Sequence, residues 1–136
     1  MTNIKTRDSR IERLLAALRS GDAAQIEALC HPDMVVEDPE SLPYGGVYRG
    51  FAGMCEVSAK LFAAVTDWKV ETERIIGDAG GEDFVLVQRM TGRATSTGRP
   101  IDMSILEHYR FRDGLLVSIR PYYWDTKAII GLLCEK

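Results

Sequence analysis

The spacing of hydrophobic residues along the chain changes from a helical period to a two-residue period. Near the N-terminus these residues recur every three or four positions, as in an amphipathic helix: Ile11, Leu14, Leu15 and Leu18. Gly21 ends this predicted helix. Asp22 with Gln25 resembles a capping box, which predicts a second helix that Pro32 ends. A third helix is predicted over residues 51–65, where apolar residues again follow the helical spacing.

From residue 68 onward hydrophobic and polar residues alternate, which predicts β-strands. The predicted strands are residues 68–73, 84–93, 101–112 and 115–123. The last two are joined by Asp113-Gly114, a dipeptide typical of a two-residue hairpin. One further strand, residues 34–38, precedes the third helix, and a short helix over residues 125–133 closes the chain.

This order of elements predicts an α+β fold. Helices followed by a run of antiparallel strands indicate a curved sheet with helices packed on one face. Such a sheet encloses a conical cavity that is open at one end, where a ligand would bind. The 136 residues are enough for a single domain over residues 1–136.

Composition and charge narrow the classes of partner. The chain is 46% hydrophobic and 27% charged, with a net charge of −3, so we expect no nucleic acid and no membrane surface as a partner. No apolar stretch approaches the roughly 18 residues that a membrane span requires. The N-terminus has no apolar segment of the kind found in signal peptides, and we therefore predict a cytoplasmic location. Three widely spaced cysteines are predicted to be free thiols: Cys30, Cys55 and Cys134.

Asp38 is the first candidate for chemistry. Alternation places it on the same face of its strand as Met34 and Val36, so it faces the core if they do. Two interpretations remain open, because an Asp before a proline commonly starts a turn, whereas an inward carboxylate at a strand end can act as an acid or base. Tyr44 and Tyr48 follow in a glycine-rich loop and are expected to contact a ligand.

Glu107 is the second candidate. It shares the more apolar face of its strand with Met103, Ile105, Tyr109 and Phe111. A carboxylate in such surroundings must either pair with an arginine or have a raised pKa that keeps it neutral as a hydrogen-bond donor. His108 has the opposite parity and is expected to face outward, and the histidine content supports no metal site.

The same parity argument predicts further ligand-binding residues on the inner face of the sheet. Met90, Met103 and Tyr109 occupy inner positions, and Tyr123 at a strand end would border the cavity mouth. No glycine-rich phosphate loop and no nucleophile elbow is present in the sequence, so no cofactor is expected.

Three segments, residues 14–22, 35–39 and 106–120, together resemble the ketosteroid isomerase branch of the NTF2-like, SnoaL-like superfamily. The resemblance implies a cone in which a curved, mixed and mostly antiparallel sheet wraps around three helices. It implies that Asp38 is a general base and that Glu107 stands where isomerases and SnoaL-like cyclases place an Asp. The isomerases' second oxyanion donor is a tyrosine on the first helix, and this chain has Leu14 at that position.

The resemblance implies a cofactor-free acid/base enzyme acting by proton transfer on a lipophilic, ketone-containing small molecule. The alternative is a non-catalytic module that binds a small hydrophobic ligand, with Glu107 held in an ion pair. A third interpretation, a hydratase or dehydratase, ranks lower because His108 and Arg110 are expected to point away from the cavity.

The outer face of the sheet is predicted to form a homodimer interface. Val85, Val87 and Leu106 fall on this face, which makes it too apolar to lie wholly in water. The family resemblance also implies such a dimer.

Overall fold

A computed structural model describes residues 9–78 and 80–134 of the chain. The helices are α1 (Ser9–Ser20), α2 (Ala23–Ala28), α3 (Gly50–Ala64) and α4 (Thr126–Cys134). The strands are β1 (Cys30–Asp38), β2 (Gly46–Arg49), β3 (Val65–Ile76), β4 (Asp83–Ala94), β5 (Pro100–Arg112) and β6 (Leu115–Tyr123). The predicted α+β class is confirmed.

The six strands form one sheet in the order β2-β1-β6-β5-β4-β3. Strands β1 and β6 run parallel, and all the other neighbouring pairs are antiparallel. The sheet is therefore mixed and mostly antiparallel. The parallel pair joins an N-terminal strand to a C-terminal one, so the two halves of the chain share a single core.

The inner face of the sheet follows the predicted alternation. On β4 the buried positions are Phe84, Leu86, Gln88 and Met90, and on β5 they are Ile101, Met103, Ile105, Tyr109 and Phe111. Ile11 and Leu14 of α1 are almost fully buried in the same core. Burying apolar area at about 25 cal/mol per Å² is the main force that holds the helices against this face.

The β5–β6 hairpin forms as predicted. Asp113 and Gly114 both have positive φ angles, 55° and 77°, as a type I′ turn requires. Glycine adopts this conformation without steric cost, and aspartate tolerates it better than most residues. The turn fixes the register of the strand that places Tyr123 and Pro121 beside β5.

The second helix is shorter than predicted. Helix α2 ends at Ala28 and β1 already begins at Cys30, so the prediction that Pro32 ends the helix is wrong. The cause is tertiary, because the amide of Leu116 on β6 donates to the carbonyl of Leu29, and Cys30 pairs with Leu116. The sheet extends the chain where local propensity favours helix.

Strand β2 was missed by the sequence pattern, which predicted a loop there. It is four residues long and pairs antiparallel with β1, with Val35 opposite Arg49. A short strand that begins at Gly46 shows no alternation that could be detected.

Helix α3 approaches β2 closely at Gly53. A Cβ atom at this position would lie 2.7 Å from the backbone carbonyl carbon of Tyr48. We therefore expect Gly53→Ala to force α3 away from the sheet and to lower the free energy of unfolding by about 1–3 kcal/mol, measured by urea denaturation. Glu56→Ala, on the exposed side of the same helix, is the control and should change stability little. Equal stabilities for wild type and Gly53→Ala would show that the helix packs differently.

Candidate functional site

A cavity of about 910 Å³ lies between the inner face of the sheet and helices α1 and α3. Apolar side chains form much of its wall: Leu15, Leu18, Val36, Met54, Val57, Leu61, Trp68, Val70, Ile105 and Ile119. Phe62 also borders the cavity but is 60% exposed. A cavity of this size and lining suits a lipophilic small molecule.

Asp38 is the last residue of β1 and lines this cavity. Met34 and Val36, four and two residues before it, are buried, so the alternation of the strand turns Asp38 inward as the sequence predicted. Burial raises the pKa of Asp38 to about 6. Within residues 9–78 and 80–134 its carboxylate has no hydrogen-bond or ion-pair partner.

Glu107 lines the same cavity from β5. The hydroxyl of Tyr109 donates a hydrogen bond to Glu107 Oε1 at 3.2 Å. Burial raises the pKa of Glu107 to about 7, a change that the Tyr109 hydrogen bond partly offsets and the charge of Asp38 increases. Glu107 forms no ion pair within the described part of the chain, so the arginine partner that one interpretation required is not seen there.

The sheet register places the two carboxyl groups in one row across the strands. Val36 pairs with Ile119, so Asp38 is in line with Pro121, and Pro121 pairs with Glu107. Two strand spacings separate the backbones by about 10 Å, and both side chains rise from the same concave face. The charge of Asp38 raises the pKa of Glu107, so ionisation of Asp38 favours the protonated form of Glu107.

Three of the predicted tyrosines border the same cavity: Tyr44, Tyr109 and Tyr123. The hydroxyls of Tyr44 and Tyr123 lie 2.8 Å apart and share a hydrogen bond. Burial raises the pKa of Tyr44 to about 12, although the Tyr123 hydrogen bond acts in the opposite direction. Burial also raises the pKa values of Tyr109 and Tyr123, so all three remain protonated hydrogen-bond donors at neutral pH.

Three other predicted ligand-binding residues lie in the core and do not line the cavity: Tyr48, Met90 and Met103. The Tyr48 hydroxyl donates to the backbone carbonyl of Tyr44 at 2.9 Å, which holds the loop that carries Tyr44. Met90 and Met103 face each other across β4 and β5. Strand parity shows only that a side chain points inward, and whether it meets cavity or core depends on what packs over it.

Gln88 and Thr72 line the cavity but were not predicted as site residues. Alternation puts Gln88 on the same face of β4 as Leu86 and Met90, and an isolated amide between apolar residues is the signal that could have marked it. Leu14, at the position of the isomerases' tyrosine, is fully buried in the core, and α1 presents Leu15 and Leu18 to the cavity instead.

His108 lies on the outer face of the sheet, as predicted, with its Nε2 atom 2.7 Å from Asp83 Oδ1. Arg110 lies 3.3 Å from the same carboxylate. Neither residue contributes to the cavity lining. Among the described residues, no group of three or more His, Cys, Asp or Glu is arranged to hold a metal ion. No helix in that part of the chain is long and apolar enough to span a membrane.

The curved sheet, the enclosing helices and the cavity between them define an NTF2-like architecture. The SnoaL-like domain family matches residues 11–119, and the chain belongs to this family. No protein of curated function matches the sequence.

Solved structures of the same fold are similar over nearly the whole chain. An NTF2-like protein of unknown function from Burkholderia pseudomallei is 21% identical, with a TM-score of 0.78 over 93% of this chain and 95% of that one. TerC, co-crystallised with polyporic acid, is 22% identical, with a TM-score of 0.77 over 92% and 95%. A protein with a ketosteroid isomerase-like fold from Catenulispora acidiphila, in complex with trimethylamine, is 14% identical, with a TM-score of 0.73 over 98% and 94%. These likenesses establish the fold.

The raised pKa of Glu107 has a cost in stability at high pH. Because the pKa is about 7 when folded and 4.5 ordinarily, this group contributes most to stability below pH 4.5, and that contribution is lost as pH rises through 7. We expect Glu107→Gln to be more stable than wild type at pH 8 by about 1–3 kcal/mol and to differ little at pH 4.5. Urea denaturation at both pH values measures this difference.

The control is Glu40→Gln, which alters an exposed carboxylate outside the cavity lining and should leave stability unchanged at either pH. A Glu107→Gln variant less stable than wild type at pH 8 would mean that the carboxylate has a favourable partner when ionised.

Proposed function

We propose that the protein is a cofactor-free acid/base enzyme of the isomerase or cyclase type, which transfers a proton on a lipophilic, ketone-containing small molecule. The observation that carries this proposal is the row of two carboxyl groups with raised pKa values, Asp38 and Glu107, facing one apolar cavity. Paired carboxyl groups whose environments separate their roles are typical of acid/base sites. Membership of the SnoaL-like family supports the same reaction class.

In the proposed reaction, ionised Asp38 removes a proton from the carbon next to the ketone. A carboxyl O–H bond forms, the C–H bond breaks, and its electron pair moves onto the ketone oxygen as an enolate. Protonated Glu107 donates a hydrogen bond to that oxygen. Asp38 then returns the proton to another carbon of the conjugated system, so that no proton, electron or cofactor is consumed.

The electrostatics favour this division of roles. Asp38 has the lower pKa, about 6, and Glu107 the higher, about 7, so the required protonation states coexist most often between these values. The Tyr109 hydroxyl occupies Oε1 of Glu107, which leaves the other carboxyl oxygen to carry the proton toward the ligand. The apolar residues of the wall lower the local dielectric constant, which strengthens each of these interactions.

A non-catalytic ligand-binding module is the second candidate. Leu14 removes one oxyanion donor, and removing such a donor typically costs about 10²–10³ in rate. TerC, which shares the fold, was co-crystallised with polyporic acid, and this supports a small-molecule ligand for the cavity under either proposal.

Deuterium exchange into the α positions of 2-decalone, followed by NMR in D₂O, tests the proton transfer. We expect wild type to accelerate exchange, with a bell-shaped pH profile limited by groups titrating near 6 and 7. Asp38→Asn should lower the rate at least 100-fold, because no base remains, and Glu107→Gln should lower it less. Glu40→Gln should match wild type.

Binding of 2-naphthol, whose anion resembles an enolate, separates this proposal from the second candidate. Absorbance reports the ionisation of the bound naphthol. If the enzyme proposal holds, its pKa falls on binding, Glu107→Gln weakens binding and Asp38→Asn does not. Binding that is indifferent to Glu107, together with no deuterium exchange, would favour the non-catalytic module.

We also propose a homodimer that forms through the outer face of the sheet. Leu106 and Tyr122 are paired across β5 and β6 and are 42% and 51% exposed, and Val87 pairs with Leu106 from β4. Charged pairs surround this apolar row, including Arg120 with Glu37 at 2.6 Å. An apolar centre with a polar rim is the usual anatomy of a protein interface.

Leu106→Arg should convert the dimer into a monomer, because it places a charge without a partner in the apolar centre of the proposed interface. Sedimentation equilibrium at micromolar concentration measures the mass. Lys127→Arg, a conservative change outside this face, should leave the dimer intact. A monomeric wild type would refute the proposed interface.

A further inference from the structure

The polar residues that line the cavity include an amide and hydroxyl pair, Gln88 and Thr72, besides the carboxyl row and the tyrosines. Gln88 on β4 is only 4% exposed and lies between two fully buried residues of its strand face, Leu86 and Met90. Its Nε2 atom donates to Thr72 Oγ1 on β3 at 3.3 Å. Its Oε1 atom is buried and has no hydrogen-bond partner within residues 9–78 and 80–134. Both Gln88 and Thr72 line the cavity.

Counting donors and acceptors shows what this pair lacks. In the observed orientation Gln88 Oε1 remains as an acceptor, and the hydroxyl hydrogen of Thr72 remains as a donor. If the amide is reversed, Thr72 donates to Oε1, and the two amide N–H groups, the second lone pair of Oε1 and a Thr72 lone pair remain. The second amide N–H is also left in the observed orientation, so either orientation leaves at least one donor and at least one acceptor. A ligand hydroxyl satisfies both, whereas a ketone or an ether only accepts.

The sheet register places this pair close to the carboxyl row but apart from it. Gln88 pairs with Ile105, which is two residues along β5 from Glu107 on the same face. Diagonal neighbours of this kind are about 7–8 Å apart, and the Gln88 amide is directed toward Thr72 on β3, away from β5 and Glu107. Thr72 lies on the edge strand β3 and is exposed.

We propose that Gln88 and Thr72 form a subsite for a hydroxyl group of the ligand. The preferred ligand is then a lipophilic molecule with two oxygen functions, one at Glu107 and a hydroxyl group some distance along the carbon skeleton. The leading contact is a hydrogen bond from that hydroxyl to Gln88. The subsite rests on the proposed function in one respect, which is that Glu107 binds the other oxygen of the ligand.

Three naphthols of the same skeleton test the subsite by calorimetry or absorbance. The first, 2-naphthol, has one hydroxyl, 2,6-dihydroxynaphthalene has a second at the far end, and 6-methoxy-2-naphthol has an acceptor there without a donor. We expect wild type to bind the diol about tenfold more tightly than 2-naphthol, the gain of a well-formed buried hydrogen bond, and to show no such gain for the methoxy compound.

Two nearly isosteric substitutions each remove the polar group of one of the two subsite residues. Gln88→Met and Thr72→Val should each abolish most of the tenfold gain in affinity of the diol over 2-naphthol, measured on the same variant. Thr72→Ser keeps the hydroxyl and should keep the gain. Should Gln88→Met fail to fold, Thr72→Val on the exposed strand carries the test alone.

Equal affinities of wild type for the diol and 2-naphthol would overturn the subsite, as would a methoxy compound that binds as tightly as the diol. A gain that survives both substitutions would place the second hydroxyl elsewhere. If the proposed function is wrong, Glu107→Gln will leave the affinity for 2-naphthol unchanged. That result is independent of the effect of Gln88→Met on the diol.

Discussion

The parallel pairing of β1 with β6 is the constraint on which the site depends. Without it, Asp38 would end a strand that has no fixed relation to Glu107. The pairing of Val36 with Ile119 and of Pro121 with Glu107 aligns the two carboxyl groups in one row on the concave face. The distance between them is then set by two strand spacings and not by flexible loops, which is the kind of rigid placement that acid/base chemistry requires.

The same two carboxyl groups lower the free energy of unfolding. Two carboxyl groups are held where burial disfavours their charged forms, and Asp38 has no compensating partner among the described residues. A buried amide oxygen on Gln88 without a partner adds to this cost. Groups of this kind are expected where function, and not folding, determines the residue. The surrounding aliphatic and aromatic core supplies the stability that offsets them.

Much of the fold could be predicted because strand alternation is a local property. It gave the inward faces of β4 and β5 and the inward direction of Asp38 and Glu107, and Asp113-Gly114 marked the hairpin. The start of β1 and the whole of β2 could not be predicted, because their pairing partners are set by the fold. Parity alone could not separate Tyr109, which borders the cavity, from Met103, which lies in the core.

The joining of distant strands also has a consequence for how the protein assembles. Glu37 of β1 and Arg120 of β6, which form an ion pair across the parallel strands, are 83 residues apart in the sequence. Closing so long a loop is entropically costly and slow compared with forming a local hairpin. During synthesis on the ribosome, β1 emerges long before its partner strand exists. The cavity is therefore completed only when the C-terminal hairpin docks, and a nascent chain that lacks β6 cannot form the binding site.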